Sequence, residues 1–126
     1  MKEVMAIIRM NRINQTKKGL SDAGISSMHA RECLGRGKGL VSLELLKGAE
    51  QGYEEAISLL GSSQRLIPKR MISIVVPDKL VPKAVATIIA LNRTGKSGDG
   101  KIFVLPVSET VRIRTGETGD ETLDDA

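Results

Sequence analysis

The chain has 126 residues, and 40% of them are hydrophobic, which is enough for one domain around one core. A single cysteine, Cys33, excludes an intrachain disulfide and a CxxC metal site, and no apolar run reaches the roughly 18 residues of a membrane-spanning helix. The net charge of +4 indicates an anionic ligand, whereas the presence of only two aromatic residues, Tyr53 and Phe103, argues against nucleic acid, whose bases stack on aromatic rings.

The first part of the chain predicts a strand, a helix and a second strand. Residues 2–10 alternate and then run apolar, as a buried strand does. Asn11 is a residue type that caps helices, and the helix that it opens runs to about residue 23, with Gly24 as its stop. Residues 25–34 read as a second strand, which we expect to pair with the first because a crossover helix separates them.

Residues 36–67 predict a long loop, because this segment begins within the glycine-rich sequence GRGKG and shows little regular periodicity. Within it, residues 49–60 have apolar side chains near helical spacing. That spacing fits either a helix that binds a partner or a loop that packs on itself.

The second part of the chain repeats the strand, helix and strand. Residues 70–77 predict a strand, and a helix follows from Asp78 to about Asn92, with Pro82 tolerated in its first turn. The apolar stripe of this helix is Val81, Val85, Ile88 and Ile89. The last predicted elements are a strand at 101–107, an extended segment at 110–114 and a flexible acidic tail at 118–126.

This order predicts an α+β fold of the ferredoxin-like type. Two right-handed strand–helix–strand units, joined by a long loop, form a βαββαβ antiparallel sheet with two helices on one face. The other face of the sheet has no cover within one chain. We therefore expect an oligomer, because apolar side chains on that face should not remain in water.

The most informative stretch is TGKSGDGKIFV at residues 94–104, where three glycines and two lysines precede an apolar run. Glycines leave backbone N–H groups uncovered, so that a run of them can form a concave anion site beside the lysines. A plain turn is the alternative, since glycines usually serve turns. A second basic cluster, Arg112 and Arg114, places two guanidinium groups on one side of an extended segment, which suits phosphate binding or a solvated strand edge.

These motifs resemble the nitrogen-regulatory PII signalling proteins over residues 1–117. TGKSGDGKIFVLPV resembles the second signature of that family, RIRTGE at 112–117 its C-terminal nucleotide segment, and GAE at 48–50 its mobile loop. The resemblance implies a cytoplasmic homotrimer of ferredoxin-like subunits, with ATP or ADP bound in the clefts between neighbours. It also implies 2-oxoglutarate and Mg²⁺ as further ligands and residues 36–67 as the effector loop.

The family's site residues carry over by position. The resemblance implies that the phosphate loop is Gly98, Asp99, Gly100 and Lys101, and that Arg112 and Arg114 reach the phosphates from the adjacent subunit. Ile7, Gly35, Gly37, Lys38 and Val75 would line the adenine and the loop base. Lys69, together with Lys38 and Gly39, would hold 2-oxoglutarate.

Two departures from the family pattern affect the expected ligand binding and the expected covalent modification. Gly39 stands where many members have a glutamine that helps to hold Mg²⁺ and 2-oxoglutarate, and no protein metal ligand is predicted. Gln51 stands where enteric members have a modified tyrosine; Tyr53 is not the matching position, so uridylylation is not expected.

The long loop, with GRGK at its base and SSQRLIPKR at its end, resembles the branch encoded with nitrogen-fixation genes in archaea and anaerobic bacteria. The resemblance implies nitrogenase as the target, and a PII paralogue could join the trimer. An ammonium channel is the alternative partner and the only implied link to a membrane, but residues 40–63 lack the arginine that channel-blocking members place at the loop tip.

Catalysis is not expected from this sequence. It offers no nucleophile–base pair, no second histidine and no metal cluster. A small phosphotransferase would need a base and a metal-holding carboxylate near the γ-phosphate, and Asp99 is the one candidate within the glycine motif. A plain structural oligomer is the remaining alternative.

Overall fold

Four strands and two helices alternate along the chain in the computed structural model, which describes residues 1–36 and 66–123. They are β1 (Lys2–Ile8), α1 (Ile13–Asp22), β2 (His29–Gly35), β3 (Ile67–Val76), α2 (Val81–Asn92) and β4 (Lys101–Pro106). A short 3-10 turn precedes each helix, at Met10–Arg12 and Asp78–Leu80. The predicted order of elements is confirmed, while the helical spacing at 49–60 and Tyr53 lie outside the described residues.

The strands form one antiparallel sheet in the order β2-β3-β1-β4. The predicted ferredoxin-like fold is therefore confirmed, but the expected pairing of β2 with β1 is wrong, because β3 lies between them. A helix is about 10 Å wide and neighbouring strands are about 4.8 Å apart, so the helix that connects β1 to β2 spans roughly two strand positions. The position that it skips is filled by β3, which runs antiparallel to both neighbours.

The hydrophobic core lies between the two helices and one face of the sheet. Alternate residues of β1 and β3 point towards the helices, as the two-residue period of a strand requires. The buried core residues of these elements are Val4, Ala6, Ile8, Ile72, Ile74, Val76, Leu20, Ala84 and Ile88. The residues in between, among them Met5, Ile7, Met71 and Phe103, lie on the opposite face, and Phe103 is 45% exposed there. No helix covers that face within the described residues.

The predicted start of α1 is wrong, whereas its predicted end is confirmed. The helix begins at Ile13, and its N-cap is Arg12, which makes no side-chain capping bond, so the prediction that Asn11 caps the helix is wrong. Asn11 instead lies inside the preceding 3-10 turn. Gly24 does stop the helix, because it takes a φ of 87° that other residues rarely adopt, and its N–H bonds to the Ser21 carbonyl.

The buried face of α2 is rotated relative to the predicted stripe. Ala84, Ile88 and Asn92 are buried one turn apart, whereas Ile89 is exposed. Asn92 is polar, but its amide nitrogen donates to the Thr16 hydroxyl at 3.0 Å and to the Ile88 carbonyl at 2.9 Å. The bond to Thr16 joins α1 to α2. Asn92, which its polarity would assign to the surface, therefore lies between the helices. Pro82 lies in the first turn, as predicted.

The segment after β4 is a turn rather than an extended run. Val111 forms a bridge with Thr118, the Arg112 N–H donates to the Glu117 carbonyl at 2.8 Å, and the Gly116 N–H donates to the Arg112 carbonyl at 2.7 Å. The predicted extended segment 110–114 is therefore wrong from residue 113 onwards, because residues 113–115 form a turn. Gly116, at a φ of 75°, allows the chain to reverse and pair with itself.

Residues 118–123, where the sequence predicts the start of a flexible acidic tail, contain a buried apolar side chain. Leu123 is buried with 8% of its surface exposed, and the Thr122 hydroxyl donates to the Thr110 hydroxyl at 2.7 Å. A 3-10 turn at Asp120–Thr122 leads directly into Leu123. The acidic composition of this segment gave no indication that Leu123 is buried. Residues 124–126 lie outside the described part of the chain.

Removing a core side chain should show how strongly the sheet and helices depend on one another. Ile72 is fully buried in the central part of the sheet, so Ile72→Ala is expected to lower the free energy of unfolding by about 2–5 kcal/mol through lost burial and the cavity left behind. The same change at Ile113, which is fully exposed, should alter it by less than about 0.5 kcal/mol. Urea unfolding of both variants measures this difference, and equal losses would contradict the assignment of the core.

Candidate functional site

The glycine-rich loop between α2 and β4, residues 93–100, folds around the carboxylate of Asp99. That carboxylate accepts hydrogen bonds from the N–H groups of Thr94 and Gly95, at 2.8 and 3.0 Å, and from the Thr94 hydroxyl. The Thr94 hydroxyl in turn accepts a bond from the Lys96 N–H at 3.2 Å. Asp99 therefore organises the loop from within, which is the common use of aspartate in turns.

Two cations, one just after β1 and one on β3, hold the same loop from outside. Arg9, which follows β1 directly, donates from Nη1 to Asp99 at 2.6 Å and from Nη2 to the Ser97 carbonyl at 3.0 Å. Lys69, on β3, donates from Nζ to the Gly98 carbonyl at 3.2 Å. No role for Arg9 is predictable from the sequence, because its partner Asp99 lies 90 positions away and no local motif joins the two residues.

The Asp99 carboxyl is held in its charged form by these contacts. Hydrogen bonds from the Thr94 hydroxyl, the Thr94 N–H and Arg9 keep the pKa of Asp99 well below its ordinary value of 3.8. Because the folded-state pKa is depressed, the stability that Asp99 contributes is fully present above the ordinary value. It is lost as the pH falls through the folded-state pKa.

This linkage gives a testable pH dependence. The difference in free energy of unfolding between the wild type and Asp99→Asn should stay constant from about pH 5 to about pH 8 and narrow below about pH 4. Urea unfolding of both proteins at each pH measures that difference. Taking the difference cancels the contribution of the other carboxyl groups, because both proteins contain them. A difference at pH 3 equal to that at pH 7 would contradict the charged role of Asp99.

All three glycines of the loop have backbone conformations that other residues rarely adopt. Gly95, Gly98 and Gly100 take φ angles of 84°, 97° and 102°. A Cβ at Gly100 would overlap the carbonyl oxygen of Ile7, a backbone atom of the central strand β1. Position 100 thus needs glycine for both its conformation and its close approach to β1.

A cleft of about 530 Å³ lies between this loop, the end of β2 and the uncovered face of the sheet. Six predicted site residues line it, namely Ile7, Gly35, Lys69, Gly98, Gly100 and Lys101. Arg36 adds a third positive charge to those of Lys69 and Lys101, and none of the described lining residues is an aspartate or a glutamate. Cys33, Met71 and Phe103 supply an apolar wall. The cleft thus combines positive charge with an apolar surface.

Other predicted site residues lie elsewhere in the single chain. Val75 pairs with Glu3, roughly 20 Å along β3 from Lys69 at about 3.3 Å per residue. Asp99 faces a neighbouring groove beside α2 rather than the cleft. Arg112 lies in the turn after β4, where it donates to the Glu117 carboxylate at 2.9 Å and to the Glu121 carbonyl at 3.0 Å, and Arg114 lies in the same turn.

Gly37, Lys38 and Gly39 lie outside the described residues. Among the residues that are described, no group of three histidine, cysteine, aspartate or glutamate side chains could hold a metal ion. Nor does the described part of the chain contain a helix with the length and apolarity that crossing a membrane requires.

Comparison with known proteins identifies the family. The family model described as nitrogen regulatory protein P-II matches residues 1–117. The chain belongs to the P-II family. The resemblance noted in the sequence is thereby confirmed, over the part of the chain that contains the glycine loop, Lys69 and the arginine turn.

Among curated P-II relatives, this chain is similar to proteins named for nitrogen-fixation gene regions. It is 48% identical to "Nitrogen fixation nifHD region GlnB-like protein 2" of Methanothermococcus thermolithotrophicus, over 95% of this chain and 96% of the relative. It is 45% identical to the protein of the same name from Methanobacterium ivanovii, over 98% and 99%. These names confirm the predicted likeness to the branch encoded with nitrogen-fixation genes.

A solved P-II structure has the same fold. The crystal structure of Arabidopsis thaliana PII bound to citrate matches with a TM-score of 0.74 and 31% identity, covering 99% of this chain and 91% of that one. The P-II fold of this chain is therefore supported by both sequence and structure.

Proposed function

We propose that this P-II protein is a signal integrator without catalytic activity. In this proposal it binds ATP or ADP, together with 2-oxoglutarate, in clefts between subunits of a homotrimer, and it regulates nitrogenase through residues 36–67. The observation that carries the proposal is the cleft, where Arg36, Lys69 and Lys101 meet a glycine loop of fixed shape and no described lining residue is acidic. A polyanion with an apolar body fits that combination.

The phosphates of the nucleotide would lie along the loop Gly98, Asp99, Gly100 and Lys101. Lys101 is the first residue of β4 and lines the cleft, so that its ammonium group is available as a point charge. Asp99 serves by shaping the loop rather than by touching an anion, which its carboxylate would repel.

The carboxylate of 2-oxoglutarate would bind at Lys69. The ammonium group has three donors, and one of them is used by the Gly98 carbonyl, so a second can reach a carboxylate while the loop contact is kept. Lys38 and Gly39, which the family resemblance adds to this site, lie outside the described residues and remain part of the proposal only.

Magnesium does not fit the described residues as a protein-held ion. Mg²⁺ prefers about six oxygen ligands, commonly carboxylates and phosphates, and the described lining residues of the cleft contain no carboxylate. No step of the proposed function therefore depends on a metal site supplied by these residues.

The same absence of carboxylates argues for regulation rather than phosphoryl transfer. Asp99, the candidate base in the loop motif, accepts bonds from Thr94, Gly95 and Arg9 and has a lowered pKa, so it is a poor proton acceptor. A phosphotransferase would need a second acidic group near the γ-phosphate.

The turn that contains Arg112 and Arg114 would complete the cleft of a neighbouring subunit. Within one chain this turn follows the end of β4 that pairs with the start of β1, whereas the glycine loop precedes the other end of β4. Arg112 holds Glu117 in the single chain, and a phosphate would compete with that carboxylate for the guanidinium group. The uncovered sheet face supplies an apolar surface for such a trimer.

Calorimetric titration of the purified protein with ATP and ADP, with and without 2-oxoglutarate, tests the ligand part of the proposal. We expect saturable nucleotide binding that 2-oxoglutarate alters, together with a ligand-dependent rise in melting temperature. Absence of both would refute it and leave a structural oligomer.

The target is tested by adding the protein to nitrogenase with each ligand and measuring substrate reduction. A ligand-dependent change in nitrogenase rate is expected. An unchanged rate, with ligand-dependent recovery of only an ammonium channel in a pull-down, would assign the alternative partner.

A further inference from the structure

Arg9 connects the sheet to the glycine loop through two separate contacts. Its Nη1 pairs with the Asp99 carboxylate, and its Nη2 bonds to the Ser97 carbonyl. The two side chains are only about a quarter exposed, at 25% and 26%, so water competes weakly for the pair. Arg9 is not among the residues that line the cleft.

The contacts of Arg9 and Lys69 also fix the direction of two successive peptide groups. The Ser97 carbonyl points to Arg9, and the Gly98 carbonyl points to Lys69. In a trans peptide the N–H group points opposite to the carbonyl, so the N–H groups of Gly98 and Asp99 are turned away from these cations. A backbone anion site requires successive N–H groups that point towards the anion, while the carbonyl groups of the same peptides point away from it.

We infer that Arg9 is a positioning residue for this anion-binding loop. It acts through Asp99 and the Ser97 carbonyl, which hold the N–H groups of the loop in place, and it makes no contact with the anion itself. The inference rests on the proposed function, because it names the residue that orders the proposed nucleotide site.

A double-mutant cycle with ATP as the probe separates this role from direct binding. Arg9→Gln and Asp99→Asn should each weaken ATP binding by about tenfold, the size of one charge-assisted hydrogen bond. If Arg9 acts through Asp99, adding Arg9→Gln to the Asp99→Asn variant should weaken binding by less than about threefold more. Arg9→Lys, which keeps a charge near Asp99, should recover part of the affinity.

The loop itself is measured without any ligand. Amide hydrogen exchange of Thr94 and Gly95, whose N–H groups bond to Asp99, should be faster in Arg9→Gln than in the wild type. Arg12→Gln is the matched control, because Arg12 reaches Gln15 and the Leu91 carbonyl but not the glycine loop, and it should leave both exchange and ATP affinity unchanged.

Two results would overturn the role of Arg9. Unchanged exchange at Thr94 and Gly95 in Arg9→Gln would show that Arg9 does not order the loop. Losses of ATP affinity that multiply in the double variant would show that Arg9 does not act through Asp99. If the wild type binds no ATP, the proposed function fails and the anion-positioning role with it, while the exchange measurement still decides whether Arg9 orders the loop.

Discussion

Alanine at position 100 is expected to disrupt the glycine loop and to remove ATP binding. Gly100 has a φ of 102°, and an added Cβ would overlap the Ile7 carbonyl oxygen and lie 3.0 Å from its carbon. Both atoms belong to the backbone of β1, which is hydrogen-bonded to β3 and β4 and cannot rotate away. The free energy of unfolding should fall by about 2–5 kcal/mol, the sum of a strained φ and an overpacked contact.

Gly95→Ala is the matched control for this change. Gly95 has a similar φ of 84° in the same loop, but nothing lies within 4 Å of the Cβ that it would carry. Its cost should be about 1 kcal/mol, from the strained φ alone. Urea unfolding and calorimetric ATP titration of both variants give the two readouts. Equal losses at positions 95 and 100 would contradict the close approach to β1.

Alanine at position 101 is expected to remove tight nucleotide binding while the fold stays intact. Lys101 lines the cleft beside Gly98 and Gly100, and its side chain is exposed, so its loss should change stability by less than about 0.5 kcal/mol. One charge-assisted contact is worth about 1.5–3 kcal/mol, which corresponds to ATP affinity lower by roughly 10- to 150-fold.

Lys96→Ala is the control for Lys101→Ala, because it removes the same charge from the adjoining glycine loop at a residue that does not line the cleft. Calorimetric titration with ATP at low and moderate salt measures both. Lys96→Ala should weaken binding only slightly and only at low salt, as a screened surface charge does. Wild-type ATP affinity in Lys101→Ala, or equal losses in both variants, would refute the placement of the phosphates.

The fold was predictable from the sequence to the extent that its signals are local and periodic. The apolar alternation of β1 and β3, and Gly24 at the end of α1, are patterns that a short window contains. The pairing of β2 with β3 is not such a pattern, because it depends on the width of a helix lying on the sheet. Asn92 was likewise not predictable as a core residue, since its burial depends on the Thr16 hydroxyl of another helix.

The candidate site divides in the same way. The glycine loop and Lys101 could be predicted as site residues from the local composition, and Gly98, Gly100 and Lys101 do line the cleft. The role of Arg9 could not be predicted, because it depends on an ion pair with Asp99, which is distant in the sequence. The role of Asp99 within the loop could be anticipated from its place between two glycines. The turn around Arg112 could not, because it depends on bonds from Arg112 to the Glu117 carboxylate and to the Glu121 carbonyl.

The hairpin of β2 and β3 has a consequence for how this family can change. Gly35 pairs with Ile67, so the two points at which residues 37–65 leave and rejoin the sheet are held side by side by a ladder that the core already stabilises. Joining two fixed ends by a longer chain costs only about 0.6 kcal/mol more for each doubling of the number of residues between them. Insertions and deletions between these ends should therefore change the free energy of unfolding little and leave the residues that surround the cleft in place.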